Sequence, residues 1–190
     1  MRHGWFVVPG VQTGDRTLAT QLQGLEPALA ECAGKTVLDI GCAEGLLSFE
    51  FARRGATSVH GMDIIEGHLE VAQELVGTLP CTFEHADLGK LSAEVSRPER
   101  SHDIVLALAM VHKLWSPRKG LQYVSRRAKD LLLMRVGKRH LDDIIISKRN
   151  NMNAVRIREV LDAEGFVLEK TVAGSSEFGE AVQYWRRRKA

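Results

Sequence analysis

The chain is poor in the features that would place it in several common classes. Only three of its 190 residues are cysteine, Cys32, Cys42 and Cys81, an odd number without a C-x-x-C pair, so neither a disulfide framework nor a zinc ribbon is encoded. The seven histidines lack the two-on-one-face spacing of a metal-binding helix, and no metal is expected. The longest unbroken apolar run, Ile104 to Val111, has eight residues, where a membrane span takes about twenty. Ahead of Pro9 stand only Trp5-Phe6-Val7-Val8, shorter than the roughly 7–15 apolar residues of a secretory leader, so the chain is expected to remain in the cytoplasm. Linker-like and low-complexity stretches are missing too. With 44% apolar and 26% charged residues there is material for a full core and no excess of charge. One domain over 1–190 is expected, with 1–33 as an N-terminal segment and 34–185 as its core.

The net charge of +2 hides a gradient. Residues 1–120 hold 11 basic and 15 acidic side chains, whereas residues 121–190 hold 15 and 9. Two readings of the basic half stand: solvated faces and a tail, or a surface for an anionic partner such as RNA. No aromatic interleaving of the kind that stacks bases accompanies the basic pairs.

Strand-like and helix-like segments alternate along nearly the whole chain, the pattern of an α/β fold. Lys35–Ile40 predicts a first strand, and Leu46–Arg54 a helix behind a tight turn. Ser58–Ile64, Cys81–His85 and Asp103–Met110 predict three more strands, the last apolar throughout, as suits the centre of a parallel sheet. Glu66–Val76, Pro117–Lys129 and Asn153–Glu164 read as helices. Asp130–Val136, Phe166–Val172 and Glu180–Trp185 complete seven strands, the final two joined by a short turn and therefore antiparallel neighbours. A helix-rich stretch, Thr17–Ala33, precedes them.

The strongest local signal is Val37-Leu38-Asp39-Ile40-Gly41-Cys42-Ala43-Glu44-Gly45, at the carboxyl end of the first strand, where open α/β sheets bind ligands. Glycines at 41 and 45 serve a bare tight turn or a turn that a ligand approaches closely. Asp63 at the end of the second strand stands where a carboxylate meets a ribose diol. Asp87 follows the third strand, where a base edge would fall. Taken singly each acid reads as a solvated loop residue; three on one rim describe a nucleoside pocket. A dinucleotide fingerprint would need glycine at 43 and 46, where the chain has Ala43 and Leu46.

Leu38–Gly45, Asp63, His85-Ala86-Asp87-Leu88 and the apolar strand from Asp103 together resemble the class I S-adenosylmethionine-dependent methyltransferases, over roughly residues 34–185. The resemblance implies a Rossmann-like, mostly parallel seven-stranded sheet of order 3-2-1-4-5-7-6, with the last strand antiparallel and helices on both faces. It implies S-adenosyl-L-methionine as cofactor. Asp39 would meet the methionine amino group, Gly41 and Gly45 would shape the turn, and Asp63 would bind the ribose. Asp87 would meet the adenine amine with Leu88 beside the ring. Cys42, Ala43, Ile64, Leu106 and Ala107 complete the implied cofactor contacts, Ala43 standing where the family commonly has glycine.

The acceptor end is less legible. The Asn/Asp-Pro-Pro-Tyr tetrad of many amino-group methyltransferases is replaced by Ala109-Met110-Val111-His112-Lys113-Leu114. His112 is either a general base for an oxygen nucleophile or a histidine that props its loop or touches the cofactor. The aromatic, glycine-containing leader from Trp5 to Arg16 is either a lid, in which Gln12 and Arg16 touch ligand, or a segment packed on the sheet edge. The expected function is methyl transfer to a small-molecule acceptor. RNA-directed methylation and non-catalytic cofactor binding are the alternatives, and no oligomeric state is encoded.

Overall fold

The computed structural model describes residues 2–90, 101–108, 110, 116–137 and 153–189. In chain order these form β1 (Arg2–Phe6), β2 (Gln12–Arg16), α1 (Leu18–Leu22), α2 (Glu26–Glu31), β3 (Thr36–Ile40), α3 (Leu46–Arg53), β4 (Ser58–Asp63), α4 (Glu66–Leu75), β5 (Cys81–His85) and β6 (His102–Leu108). Then follow α5 (Pro117–Arg127), β7 (Ala128–Gly137), α6 (Ala154–Ala163), β8 (Phe166–Ala173) and β9 (Glu180–Arg187). Seven strands make one sheet, β5-β4-β3-β6-β7-β9-β8, in which only β9 runs against its neighbours. This is the expected order.

Local chemistry sets the element ends. Thr17 Oγ1 accepts from Thr20 N at 3.2 Å and Asn153 Oδ1 from Arg156 N at 3.0 Å, each satisfying an orphan donor in a first helical turn. Pro117 opens α5, where its missing N–H costs nothing. Gly24, at φ +82°, divides the helix-rich N-terminal stretch into α1 and α2. The fourth core strand stops at Leu108 rather than Met110, and β9 extends to Arg187, because Leu131–Gly137 offers it an antiparallel partner up to Arg186 and β8 one beyond.

Period-two alternation divides the core into two layers. Leu38, Val105, Leu132 and Met134 face α5 and α6, packing with Leu121, Val124, Ile157 and Trp185. Val37, Ile104, Leu106, Leu131 and Leu133 face the other way, onto Leu25, Ala28, Phe51 and Tyr184. The first and last parts of the chain are tied beneath that second layer. Tyr184 Oη donates to the Gly24 carbonyl at 2.7 Å, and Arg186 reaches Glu31 at 3.0 Å and Asp130 at 2.8 Å.

The N-terminal leader forms two strands, β1 and β2, paired in parallel. Its anchor is Glu44, wholly buried, whose carboxylate accepts from Trp5 N (2.9 Å), Phe6 N (3.0 Å) and Gln12 Nε2 (2.7 Å). Three donors on one carboxylate compensate its burial, with His68 Nε2 lying 3.6 Å away. Among the described residues no helix is long and apolar enough to cross a membrane.

Candidate functional site

A cavity of about 450 Å³ opens at the carboxyl ends of β3, β4, β5 and β6, within the range of small-molecule sites. Its floor is the turn after β3. Gly41 has φ +77°, and a Cβ there would collide with the Met110 thioether; Gly45 has φ +74°, and a Cβ would lie 2.8 Å from the Phe83 ring. Ala43 adopts φ +49°, held there by its N–H, which donates to Asp63 Oδ2 at 2.9 Å. The other oxygen of Asp63 accepts from Ile65 N at 2.9 Å. Each Asp63 oxygen thus keeps one lone-pair site beyond its backbone bond.

Asp39, 2% exposed, accepts from Ser48 Oγ at 2.7 Å. Burial pushes its carboxyl up to about 6; the Ser48 hydroxyl opposes this, the Asp63 charge adds to it, and Arg135 weakly opposes it. Burial also drives the Cys42 thiol far upward, with Asp39 and Asp63 reinforcing the effect, so Cys42 is a neutral wall and no nucleophile. Asp87 Oδ1 accepts from Gly89 N at 2.8 Å.

Of the residues singled out in the sequence, Asp39, Gly41, Cys42, Ala43, Asp63, Ile64, Asp87 and Leu88 line this cavity. Gly45 supports the turn from below, as the N-cap of α3. Leu106 and Ala107 do not line it: pleating buries them in opposite core layers, and Leu108 is the β6 residue that reaches the cavity. Gln12 and Arg16 are also absent from the lining. Gln12 spends its amide on Glu44 and the Phe6 carbonyl, while Arg16 stacks on Phe178. Trp5 and Phe6 of the leader do form part of the wall. His112 lies outside the described residues.

Sequence reasoning missed Gln21, His68 and Met110, all in the lining. His68 enters on the first turn of α4, 3.7 Å from Asp63 and 3.6 Å from Glu44. Its signal was positional, since the residue five places after a strand-end acid lands back on the ligand side of the next helix. Among the described residues no group of three His, Cys, Asp or Glu side chains is arranged to hold a metal.

The donor and acceptor set fits an S-adenosyl cofactor. Asp39, a buried carboxylate with no cation in ion-pair contact among the described residues, suits an ammonium, a strand-end carboxylate with spare lone pairs suits a diol, and positive-φ glycines leave room for a ligand against the backbone. Residues 37–130 match the family model described as a methyltransferase domain. The ubiquinone biosynthesis O-methyltransferase of Pseudomonas syringae pv. tomato is 36% identical over 102 residues, 53% of this chain and 42% of that protein. The chain therefore spans less than half the length of this curated relative. Among solved structures, a putative S-adenosylmethionine-dependent methyltransferase from Listeria monocytogenes superposes with a TM-score of 0.71 at 16% identity, covering 90% of this chain and 99% of that one. The magnesium protoporphyrin IX methyltransferase of Synechocystis PCC 6803 with bound SAM gives 0.65 at 22% identity, covering 86% and 78%.

Proposed function

Because the chain belongs to the class I S-adenosylmethionine-dependent methyltransferase family, we propose that it transfers a methyl group to a small-molecule acceptor through an oxygen nucleophile. The observation that carries this is the convergence of Asp39, Asp63 and Asp87, from the ends of three adjacent strands, on one cavity floored by the Gly41–Gly45 turn. When bound, S-adenosylmethionine supplies a methyl group on a sulfonium, already a good leaving group.

In this reading Asp39 holds the ammonium of the methionine end, Asp63 takes the ribose hydroxyls, and Asp87 with Leu88 and Ile64 frames the adenine. Trp5 and Phe6 exclude water along one wall, so that alignment of acceptor and methyl carries much of the rate. His112, just beyond the central strand, removes the acceptor's hydroxyl proton. His112→Ala is then expected to lower kcat by about a hundredfold or more, with the KM for S-adenosylmethionine unchanged.

A small acceptor is favoured over RNA because many arginines of the basic half are already paired. Arg126 meets Glu164 at 2.7 Å, Arg186 meets Glu31, Asp130 and Glu169, and Arg188 meets Asp162 at 2.9 Å. The ubiquinone relative's name points the same way, toward oxygen. The three free thiols agree with a reducing, cytoplasmic setting. The test is formation of S-adenosylhomocysteine from labelled cofactor across a panel of phenols, carboxylic acids and structured RNAs. Turnover confined to the RNAs, with a steep salt dependence, would replace the small-molecule reading.

A further inference from the structure

Three buried carboxylates, Asp39, Glu44 and Asp63, stand at or beside the turn after β3, and their compensation is uneven. Asp39 is bonded by the Ser48 hydroxyl and feels Arg135, a buried cation that donates to Gln21 and lies 3.8 Å from Glu180, which also meets Arg16 at 3.5 Å. Glu44 and Asp63 have no arginine or lysine in ion-pair contact among the described residues. The basic side chain that reaches them is His68, with Nε2 3.6 Å from Glu44 Oε1 and Nδ1 3.7 Å from Asp63 Oδ1.

Both separations exceed a hydrogen bond, and Nδ1 is buried without one. An ionised carboxylate only accepts, so each ring nitrogen faces an acceptor; an imidazolium can donate to both, a neutral ring to one. The turn that fixes Asp63 also delivers the ring: Ile65 N donates to Asp63 Oδ1 at 2.9 Å, and the Ile65 carbonyl accepts from His68 N at 3.0 Å.

The two acids have different duties. Asp63 lines the cavity with a lone-pair site to spare on each oxygen. Glu44 carries the leader through the Trp5, Phe6 and Gln12 donors, and Gly4 packs so closely that a Cβ there would collide with Glu44 Oε1. Trp5 and Phe6 in turn wall the cavity. His68 therefore stands between the acid that faces a ligand and the acid that holds a wall beside it.

We propose that His68 is a positioning residue that transmits occupancy of Asp63 to the leader. The inference rests on the reading of Asp63 as the acceptor of the ribose hydroxyls. Hydroxyls that donate to Asp63 take up charge the imidazole shares. A movement of about 1 Å or less then brings Nε2 into hydrogen-bond range of Glu44 and adds a donor to the leader's anchor. Coupling is reciprocal, so a seated leader raises cofactor affinity by the factor with which the cofactor steadies the leader. A second path joins the two acids without the ring, through the Ala43 N–H on Asp63 and the Ala43–Glu44 peptide.

Thermolysin cleavage within residues 2–16 of the whole chain, with and without saturating S-adenosylhomocysteine, reads the coupling, and calorimetry reads affinity. Because each protein is compared with itself, a uniformly looser leader cancels. Ligand is expected to slow cleavage of the wild type about tenfold. His68→Phe keeps a ring but no donor; its protection is expected to fall below about twofold, and its affinity by the factor lost. His68→Gln, whose amide meets one carboxylate, is expected to retain about threefold protection. Adding Glu44→Gln to His68→Phe should remove little more, the mark of two residues on one path. Full protection in either His68 variant overturns the inference, assigning the effect to direct contact of Trp5 and Phe6 with ligand or to the Ala43 path, and leaves the cofactor reading intact. Binding without protection in the wild type overturns it as well. If neither S-adenosylhomocysteine nor adenosine binds, the reading of Asp63 falls, and the inference with it.

Discussion

The rim of the sheet has two halves of opposite character. At β4 and β5 the cavity meets carboxylates whose backbone donors are built in from the adjoining turns, Ala43 and Ile65 on Asp63 and Gly89 on Asp87, and at β3 it meets Asp39, bonded by the Ser48 hydroxyl. At β7 and β9 it adjoins guanidiniums with more donors than acceptors. The acidic half has backbone donors in place and can accept more bonds; in the basic half, buried donors without a partner among the described residues outnumber acceptors. On the function proposed above, the hydroxyl and ammonium donors of the ligand face the first half.

The sharpest way to break the contrast is Asp63→Ala. It removes the acceptor for a ribose diol and strands the Ala43 and Ile65 amides, and bonds to a charged group are worth about 1.5–3 kcal/mol each. Affinity for S-adenosylhomocysteine is expected to fall by about a hundredfold or more by calorimetry, and Asp63→Asn to lose less. Equal affinity in both variants would detach Asp63 from the ligand.

Next in size is Glu44→Ala, which cuts the tie between the turn and the leader. Three donors lose their acceptor, at about 1–3 kcal/mol for each that stays buried. A lower Tm and faster proteolysis ahead of Arg16 are expected. Glu44→Gln, which keeps one carbonyl acceptor, should fall between.

A third test is the pH dependence of binding. Asp39, raised by burial to about 6, stabilises the free protein through its protonated form below about pH 4, and that contribution is lost as pH rises through about 6. A cationic ligand reverses the preference. S-adenosylhomocysteine affinity is therefore expected to strengthen up to about tenfold per pH unit toward 6 and then level off, and Asp39→Asn to flatten the curve.

The smallest effect serves as a control away from the rim. His102, at the start of β6, is lowered to about 4 by burial, then by His60, which stacks with it at 6.3 Å, and by Arg127 and Lys129. A depressed histidine contributes stability above about pH 6.5 that disappears as pH falls through about 4. His102→Gln should flatten Tm against pH over that window and leave ligand affinity alone.

The same two halves differ in how far the sequence discloses them. Asp39 and Asp63 stand at the carboxyl ends of their strands and Asp87 two residues past the third, so one rule of α/β sheets finds all three, and the family resemblance supplies the sheet order. Gln21, Arg16, Arg135 and Glu180 come from four segments, and Gln21 and Arg135 are 114 residues apart. No local pattern joins them. A clue existed in Leu131-Leu132-Leu133-Met134-Arg135-Val136, where a charge takes a place that alternation reserves for an apolar side chain. The leader misled in a different manner: Gln12 and Arg16 have the chemistry of ligand contacts, but a glutamate within the glycine turn takes the first, and Phe178 takes the second.

The hydrogen bond from Tyr184 to Gly24 spans 160 residues, and the one from Arg186 to Glu31 spans 155. On a ribosome these partners are separated by time as well as by chain length. At ~5–20 residues per second, α1 and α2 are exposed for roughly 8–32 s before Tyr184 has been synthesised. Throughout that interval Leu25, Ala28 and Leu29, all buried in the finished protein, lack the β9 side chains that cover them, and Gln21 lacks Arg135 until β7 is made. The cavity's wall at Gln21 thus closes after the glycine turn and its three acids are in place. It is α1 and α2 that wait for the far end of the sheet, whereas the β1–β2 leader meets its Glu44 anchor within 39 residues.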